Sequence, residues 1–119
     1  MYVNMYVSKD ERVTVNVTKV IDGDTFVADV SFNVLGNVFV LKEQHFRMEG
    51  INAPERKGET KELGEASRAF LESVIGGKSV EVVVPSKEKY GRWLATVYLG
   101  DLDVNGYMVQ QGYAVFREY

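Results

Sequence analysis

Residues 12–32 read RVTVNVTKVI, then DGD, then TFVADVSF, and the rest of the fold is read outward from this stretch. β-Branched residues recur on both sides of Asp22-Gly23-Asp24, the pattern of two strands joined by a tight turn. A second glycine-bearing turn, Asn33 to Asn37, leads into VFVLKEQHFRMEGI, predicted as a long third strand over residues 38–51 with Arg47 and Glu49 near its end. The three segments form a meander. Asn52-Ala53-Pro54-Glu55 then breaks the pattern, because Pro54 brings no N–H and biases Ala53 toward extended backbone. This places a loop at a sheet end, where functional residues concentrate.

From Thr60 onward the period changes. Leu63, Ala66, Phe70 and Val74 recur at helical spacing and Gly76-Gly77 supplies a stop, which predicts a helix over residues 61–75. SVEVVV (79–84) is the fourth predicted strand, residues 87–92 a charged turn, and WLATVYL (93–99) the fifth; a short second helix follows over residues 104–111. The fold class is therefore α+β, mainly β. Among small folds, five strands with inserted helices point to the OB-type barrel, a partly open five-stranded Greek key. Residues 1–119 contain no repeat, low-complexity tract or linker, so a single domain is expected, with its core over about residues 12–119.

Composition removes several chemistries. Hydrophobic residues make up 45% and charged residues 26%, the balance of an ordinary globular chain. With no Cys there is no disulfide, thiol nucleophile or thiolate-bound zinc, and a single His rules out paired-His metal motifs within these residues. Carboxylates are left to carry the chemistry. The net charge of −3 argues against a passive polyanion binder, yet a few Arg and Lys around a cation site act within about a Debye length whatever the total. There is no apolar run of membrane-spanning length, and MYVNMYVSKDERV lacks the basic and apolar regions of an export signal. The sequence as written is expected in the cytoplasm, or secreted if a signal has been trimmed from it.

Candidate residues fall into three groups. Asp22-Gly23-Asp24-Thr25 sets two carboxylates at a tight turn, suited either to a hard cation or to a plain hairpin turn with an Asx hydrogen bond. Arg47, Asn52 and Glu55 then bring a planar donor fork, an oxygen ligand and a candidate base within nine positions. Lys87-Glu88-Lys89-Tyr90-Gly91-Arg92 flanks an aromatic ring with cations, either a charged hairpin tip or a contact for a base or phosphate. His45 reads as a surface or cross-strand residue, Trp93 as packing, and Asn105 as a helix cap or a buried hydrogen-bonding residue.

VIDGDTF (20–26), FRMEGINAPE (46–55), GEASRAFLESV (64–74), EKYGRWLATVYL (88–99) and DVNGYMVQQGYA (103–114) resemble, in this order, the motifs of the staphylococcal-nuclease-like (thermonuclease) family. The resemblance implies an OB-type barrel with packed helices that cleaves phosphodiester bonds of DNA and RNA with calcium. Carried over by position, Asp24 matches the main metal-ligating Asp, Arg47 and Arg92 the phosphate-clamping arginines, and Glu55 the general base, placed to orient or deprotonate the attacking water directly or within the metal's hydration shell. Lys89 and Tyr90 match contacts to the terminal phosphate of a bound nucleotide. The closing GYAVFREY is similar to the aromatic end of the nucleotide pocket, which assigns stacking to Phe116 or Tyr119. The implied charge logic is sound: phosphodiester attack builds negative charge that a cation and bidentate guanidinium groups stabilise.

Three departures qualify the match. Asn52 stands where the family has a second metal-binding Asp, so calcium is expected to bind more weakly through a neutral oxygen. Ala53 replaces a Thr, and residues 1–119 are expected to fold without the family's further C-terminal helix. Two functions follow from the resemblance: a monomeric calcium-dependent nuclease acting on DNA, RNA or both, or a catalytically weakened OB-fold domain that binds nucleic acid or a peptide without cutting it.

Overall fold

The computed structural model describes residues 12–117. In chain order they form β1 (Val13–Asp22), β2 (Thr25–Val34), β3 (Asn37–Met48), β4 (Ile51–Asn52), α1 (Lys61–Ile75), β5 (Ser79–Lys87), β6 (Trp93–Leu99), β7 (Leu102–Asp103), α2 (Val104–Gln110) and β8 (Val115–Phe116). The main sheet runs β3-β2-β1-β5-β6-β7. β6 also pairs in parallel with β3, matching Phe46 with Trp93, Arg47 with Leu94 and Met48 with Ala95. This seam closes five strands into an OB-type barrel, as the sequence predicts.

Alternation fills the barrel, with one correction of phase. Val15 and Val17 of β1 are buried, but strict alternation would then send Lys19 inward. The register skips Thr18, since Val17 pairs with Ala28 and Lys19 with Val27, and this bulge turns Val20 into the core. The Thr18 hydroxyl donates to the Val27 carbonyl at 3.2 Å. Phe26 and Phe46 stack 5.2 Å apart across β2 and β3, joined in the core by Met48, Ile51, Val80, Val82, Ala95 and Val97. β2 and β3 continue beyond β1 as a hairpin arm turned at Leu35-Gly36, leaving Leu35, Val38, Phe39, Val40 and Leu41 exposed.

The third strand is shorter than the predicted 38–51. It stops at Met48 because Gly50 adopts φ +79, a left-handed backbone that breaks the ladder, and Ile51–Asn52 pair instead with β8. β5 runs past the predicted end at Val84 to Lys87, through a register shift between Val83 and Ser86. α1 has the predicted ends, Lys61 and Ile75, and its buried face is offset from the apolar residues whose spacing marks the helix. The buried residues are Gly64, Ser67, Leu71 and Ile75, whereas Leu63 is exposed and Phe70 and Val74 only flank the core. Phe70 stacks on Tyr113 at 4.2 Å instead.

Close approach explains this rotation of the face. A Cβ on Gly64 would lie 2.3 Å from the Glu55 carbonyl oxygen, and one on Gly23 would lie 1.8 Å from Ser67 Oγ. α1 therefore presses two small residues, Gly64 and Ser67, against the loop after β4 and the β1–β2 turn. Ser67 Oγ donates to the Tyr113 carbonyl at 2.8 Å, tying the helix to the segment before β8. His45 is exposed beside Val27 and Trp93 packs half-buried against the core, both in line with the sequence reading, and the Trp93 indole N–H donates to Gln44. Asn105 is a buried hydrogen-bonding residue: its Oδ1 accepts from Val97 N–H, and its Nδ2 donates to the Glu49 and Ala95 carbonyls. Asp103 caps α2, accepting from Gly106 N–H.

The Gly64 contact meets rigid backbone, so Gly64→Ala should force the Glu55 loop off α1 and destabilise the protein by about 1–3 kcal/mol. Urea unfolding measures this; Glu65→Ala on the exposed face should stay within about 0.5 kcal/mol of the parent. Equal stabilities for the two variants would contradict the close packing.

Candidate functional site

Asp24 sits in the turn between β1 and β2 with only 7% of its surface exposed. A carboxylate so placed needs partners, and it has them from three segments. Oδ1 accepts the Thr25 hydroxyl at 2.9 Å, Oδ2 accepts the Ala53 backbone N–H at 2.7 Å, and Arg47 Nη2 lies 3.4 Å from Oδ2. Arg47, at the end of β3, is equally buried and donates Nη1 to the Met48 carbonyl and Nη2 to the Ile51 carbonyl and Asn52 Oδ1. These bonds occupy three of its roughly five N–H groups. The backbone repeats the clip, Met48 N–H donating to the Asp24 carbonyl at 2.8 Å.

Arg92 immediately precedes β6. Its Nε and Nη2 grip both carboxylate oxygens of Glu88, at 2.7 and 3.1 Å, a fork that fixes the guanidinium direction. Hydrogen bonding from Arg92 holds the Glu88 carboxyl below its ordinary range, against the upward push of burial. Glu55 is exposed on the loop after β4, its carbonyl held by the Thr60 hydroxyl at 2.7 Å.

Asp24, Arg47, Asn52, Glu55 and Arg92 all line one cleft of about 190 Å³. Asp22 and Arg117 join them. Asp22 belongs to the DGD turn already noted, and its Oδ1 pairs with Arg56 Nε at 3.3 Å. Arg117 directly follows β8, within the GYAVFREY stretch from which the sequence reading took only the aromatic residues. A neighbouring groove of about 330 Å³, lined by Ile21, Asp22, Glu55, Arg56 and Lys57, shares Asp22 and Glu55 with the cleft. Lys89 and Tyr90 are outside the cleft lining: Tyr90 is well exposed on the β5–β6 turn, with Lys89 Nζ 5.0 Å from its ring centre. Phe116 is 74% exposed, and Tyr119 lies outside the described residues.

Asp22, Asp24, Asn52 and Glu55 give the cleft a set of hard oxygen donors, the type that suits a divalent cation such as calcium or magnesium. The set fits such an ion loosely. Among the described residues no three His, Asp or Glu side chains cluster as a cage, and Asn52 Oδ1 and Asp24 Oδ2 already accept hydrogen bonds. Water and substrate oxygens would have to complete the coordination.

Residues 45–119 match the family described as staphylococcal nuclease homologue. The chain belongs to that family. An uncharacterized endonuclease of Escherichia coli O157:H7 is 34% identical over 105 residues, covering 87% of this chain and 61% of that protein. The thermonuclease of Staphylococcus hyicus is 32% identical over 111 residues, covering 89% and 60%. A probable staphylococcal-like nuclease, CAN2 of Oryza sativa subsp. japonica, is 36% identical over 73 residues, 61% of this chain and 19% of that protein. The matched part of this nuclease-homologue domain thus spans about three-fifths of the bacterial relatives. No helix among its described residues is long and apolar enough to cross a membrane.

A carboxyl with a lowered folded-state value stays ionised, and keeps its partner, at every pH above its ordinary range; the pairing is lost only as pH falls through the lowered value. In a carbon-13 NMR titration Glu88 should therefore show a midpoint below 4.5, and Arg92→Ala should move it back up. An unshifted midpoint in the parent protein would contradict the paired geometry.

Proposed function

We propose that this chain is a calcium-dependent nuclease that hydrolyses phosphodiester bonds of DNA, RNA or both. The observation that carries the reading is the convergence of Asp24, Arg47, Asn52, Glu55 and Arg92, drawn from separate segments, on one cleft of about 190 Å³. Family membership supports it. The relatives named as nucleases are longer than this chain, so its activity is an inference from the site it retains.

In the proposed mechanism a substrate phosphate enters beside Arg47 and Arg92, whose guanidinium groups hold its non-bridging oxygens and stabilise the charge that grows on them. Rigidity favours this role, since a donor already fixed by Met48, Ile51 and Asn52, or by Glu88, needs little reorganisation during reaction. The Glu55 carboxylate accepts a proton from the attacking water as its oxygen bonds to phosphorus. The bond to the leaving ester oxygen breaks, and that oxygen takes a proton from solvent. Asp24 and Asn52, with Glu55 through water, would hold the cation, which supplies positive charge to the phosphate oxygens when bound.

A specific observation favours the second reading, a weakened domain that binds without cutting. Asn52 adds no charge, and its Oδ1 is engaged by Arg47 Nη2 at 3.1 Å, so a cation must compete for it. Asn52→Asp should lower the calcium concentration needed for half-maximal activity, as followed by calorimetry and cleavage assays. Calorimetry showing no calcium binding in either form, with nucleotide present, would favour the binding-only reading.

The deciding experiment is cleavage of heat-denatured DNA and of RNA in calcium, in magnesium and in chelator, with Arg92→Ala as the contamination control. Calcium-dependent cutting that disappears in the variant supports the nuclease. Glu55→Gln should lower kcat by roughly 10²–10⁴ while substrate affinity changes little. A Glu55→Gln protein that cuts as fast as the parent would remove Glu55 from the base role.

A further inference from the structure

We propose that Arg117 is a phosphate-binding residue that holds a polynucleotide at the phosphate next to the one being cleaved. The inference rests on the nuclease reading and extends it to a residue and a subsite, in favour of a polymeric substrate over an isolated phosphodiester.

The first argument is charge. The cleft lining carries three carboxylates, Asp22, Asp24 and Glu55, and three guanidinium groups, Arg47, Arg92 and Arg117. Without Arg117 the lining would be net negative whenever no cation is bound, in a chain of net charge −3, and a polyanionic strand would then be repelled from its own site. Arg47 cannot supply the difference alone: it is 6% exposed, lies against Asp24, and donates three hydrogen bonds to protein oxygens. Arg117 is exposed, as a residue meeting a strand from solvent must be.

The second argument is placement. β8 pairs antiparallel with β4, setting Val115 opposite Asn52 and Phe116 opposite Ile51, and Arg117 N–H donates to the Gly50 carbonyl at 2.8 Å. The backbone of Arg117 thus lies two residues, or about 7 Å, from the level of Asn52. That displacement runs back along β4, away from the loop that carries Glu55. A cation held there meets the strand beyond the phosphate that Glu55 serves, while its side chain still reaches the same cleft. Successive residues of a strand point to opposite sides, so Phe116 and Arg117 part company: the ring faces solvent and the guanidinium lines the cleft.

The test is fluorescence anisotropy of a labelled single-stranded oligonucleotide in chelator, over a series of NaCl concentrations, for the parent, Arg117→Ala, Arg117→Gln and Arg117→Lys. Losing one charge-assisted phosphate contact should weaken binding roughly tenfold at low salt. Losing one neutralised phosphate should also reduce the slope of log affinity against log salt by about 0.7. Ala and Gln should show both changes, and Lys should retain the parent slope; a merely structural side chain would not be rescued in this way. Equal affinity and slope for the parent, Ala and Gln forms would overturn the proposal. The parent's cleavage assay separates the two levels of inference: cutting by a parent whose binding ignores Arg117 sinks only this contact. A parent that neither binds nor cuts the strand sinks the nuclease reading and this contact with it.

Discussion

A buried carboxylate clipped between a backbone N–H and a guanidinium is the interaction on which this end of the barrel depends. Asp24 takes the Ala53 N–H at 2.7 Å and faces Arg47 at 3.4 Å, with both residues less than a tenth exposed. A charge so far from water persists only with its partners in place, so the turn after β1, the end of β3 and the loop after β4 must come together as one unit. The value of such a pair lies in specification. The remaining bonds fix each member locally, Thr25 on Asp24 and Met48 on Arg47, and carry Arg47 on to Ile51 and Asn52 of β4. The carboxylate therefore defines where its neighbours stand.

α1 presses on this unit from outside. Its contact with the Glu55 loop is made at Gly64 and its contact with the DGD turn at Ser67 against Gly23, positions where added atoms would collide with neighbours. Small residues here bring a helix close enough to support two site loops at once. Larger ones would pack more apolar surface and hold the loops further off.

Much of this was legible in the sequence, and the misses have physical causes. The ends of α1, Lys61 and Ile75, follow from its period and its glycine stop, yet its inward face does not. Counting apolar residues selects Leu63, Ala66, Phe70 and Val74, while close approach selects Gly64 and Ser67, and space outranks hydrophobicity where two backbones nearly touch. The third strand was read through Gly50 because a single left-handed residue is invisible to alternation. Asp24, Arg47, Asn52, Glu55 and Arg92 could be named from motifs and do share a cleft. Arg117 could not. It reaches the cleft through a two-residue strand pair, β4 with β8, too short to leave a periodic trace.

The seam that closes the barrel has a kinetic meaning. Arg47 and Leu94 are neighbours in a parallel pairing between segments about 47 residues apart in sequence, whereas the β1–β2–β3 meander forms from adjacent hairpins. Loop-closure entropy makes such distant pairing late and slow relative to local turns. Arg47 and Arg92 stand on opposite sides of that seam, so a chain with its meander and helix already formed still lacks an assembled cleft. Competence of the site would return on refolding with closure of the barrel, later than most of the secondary structure.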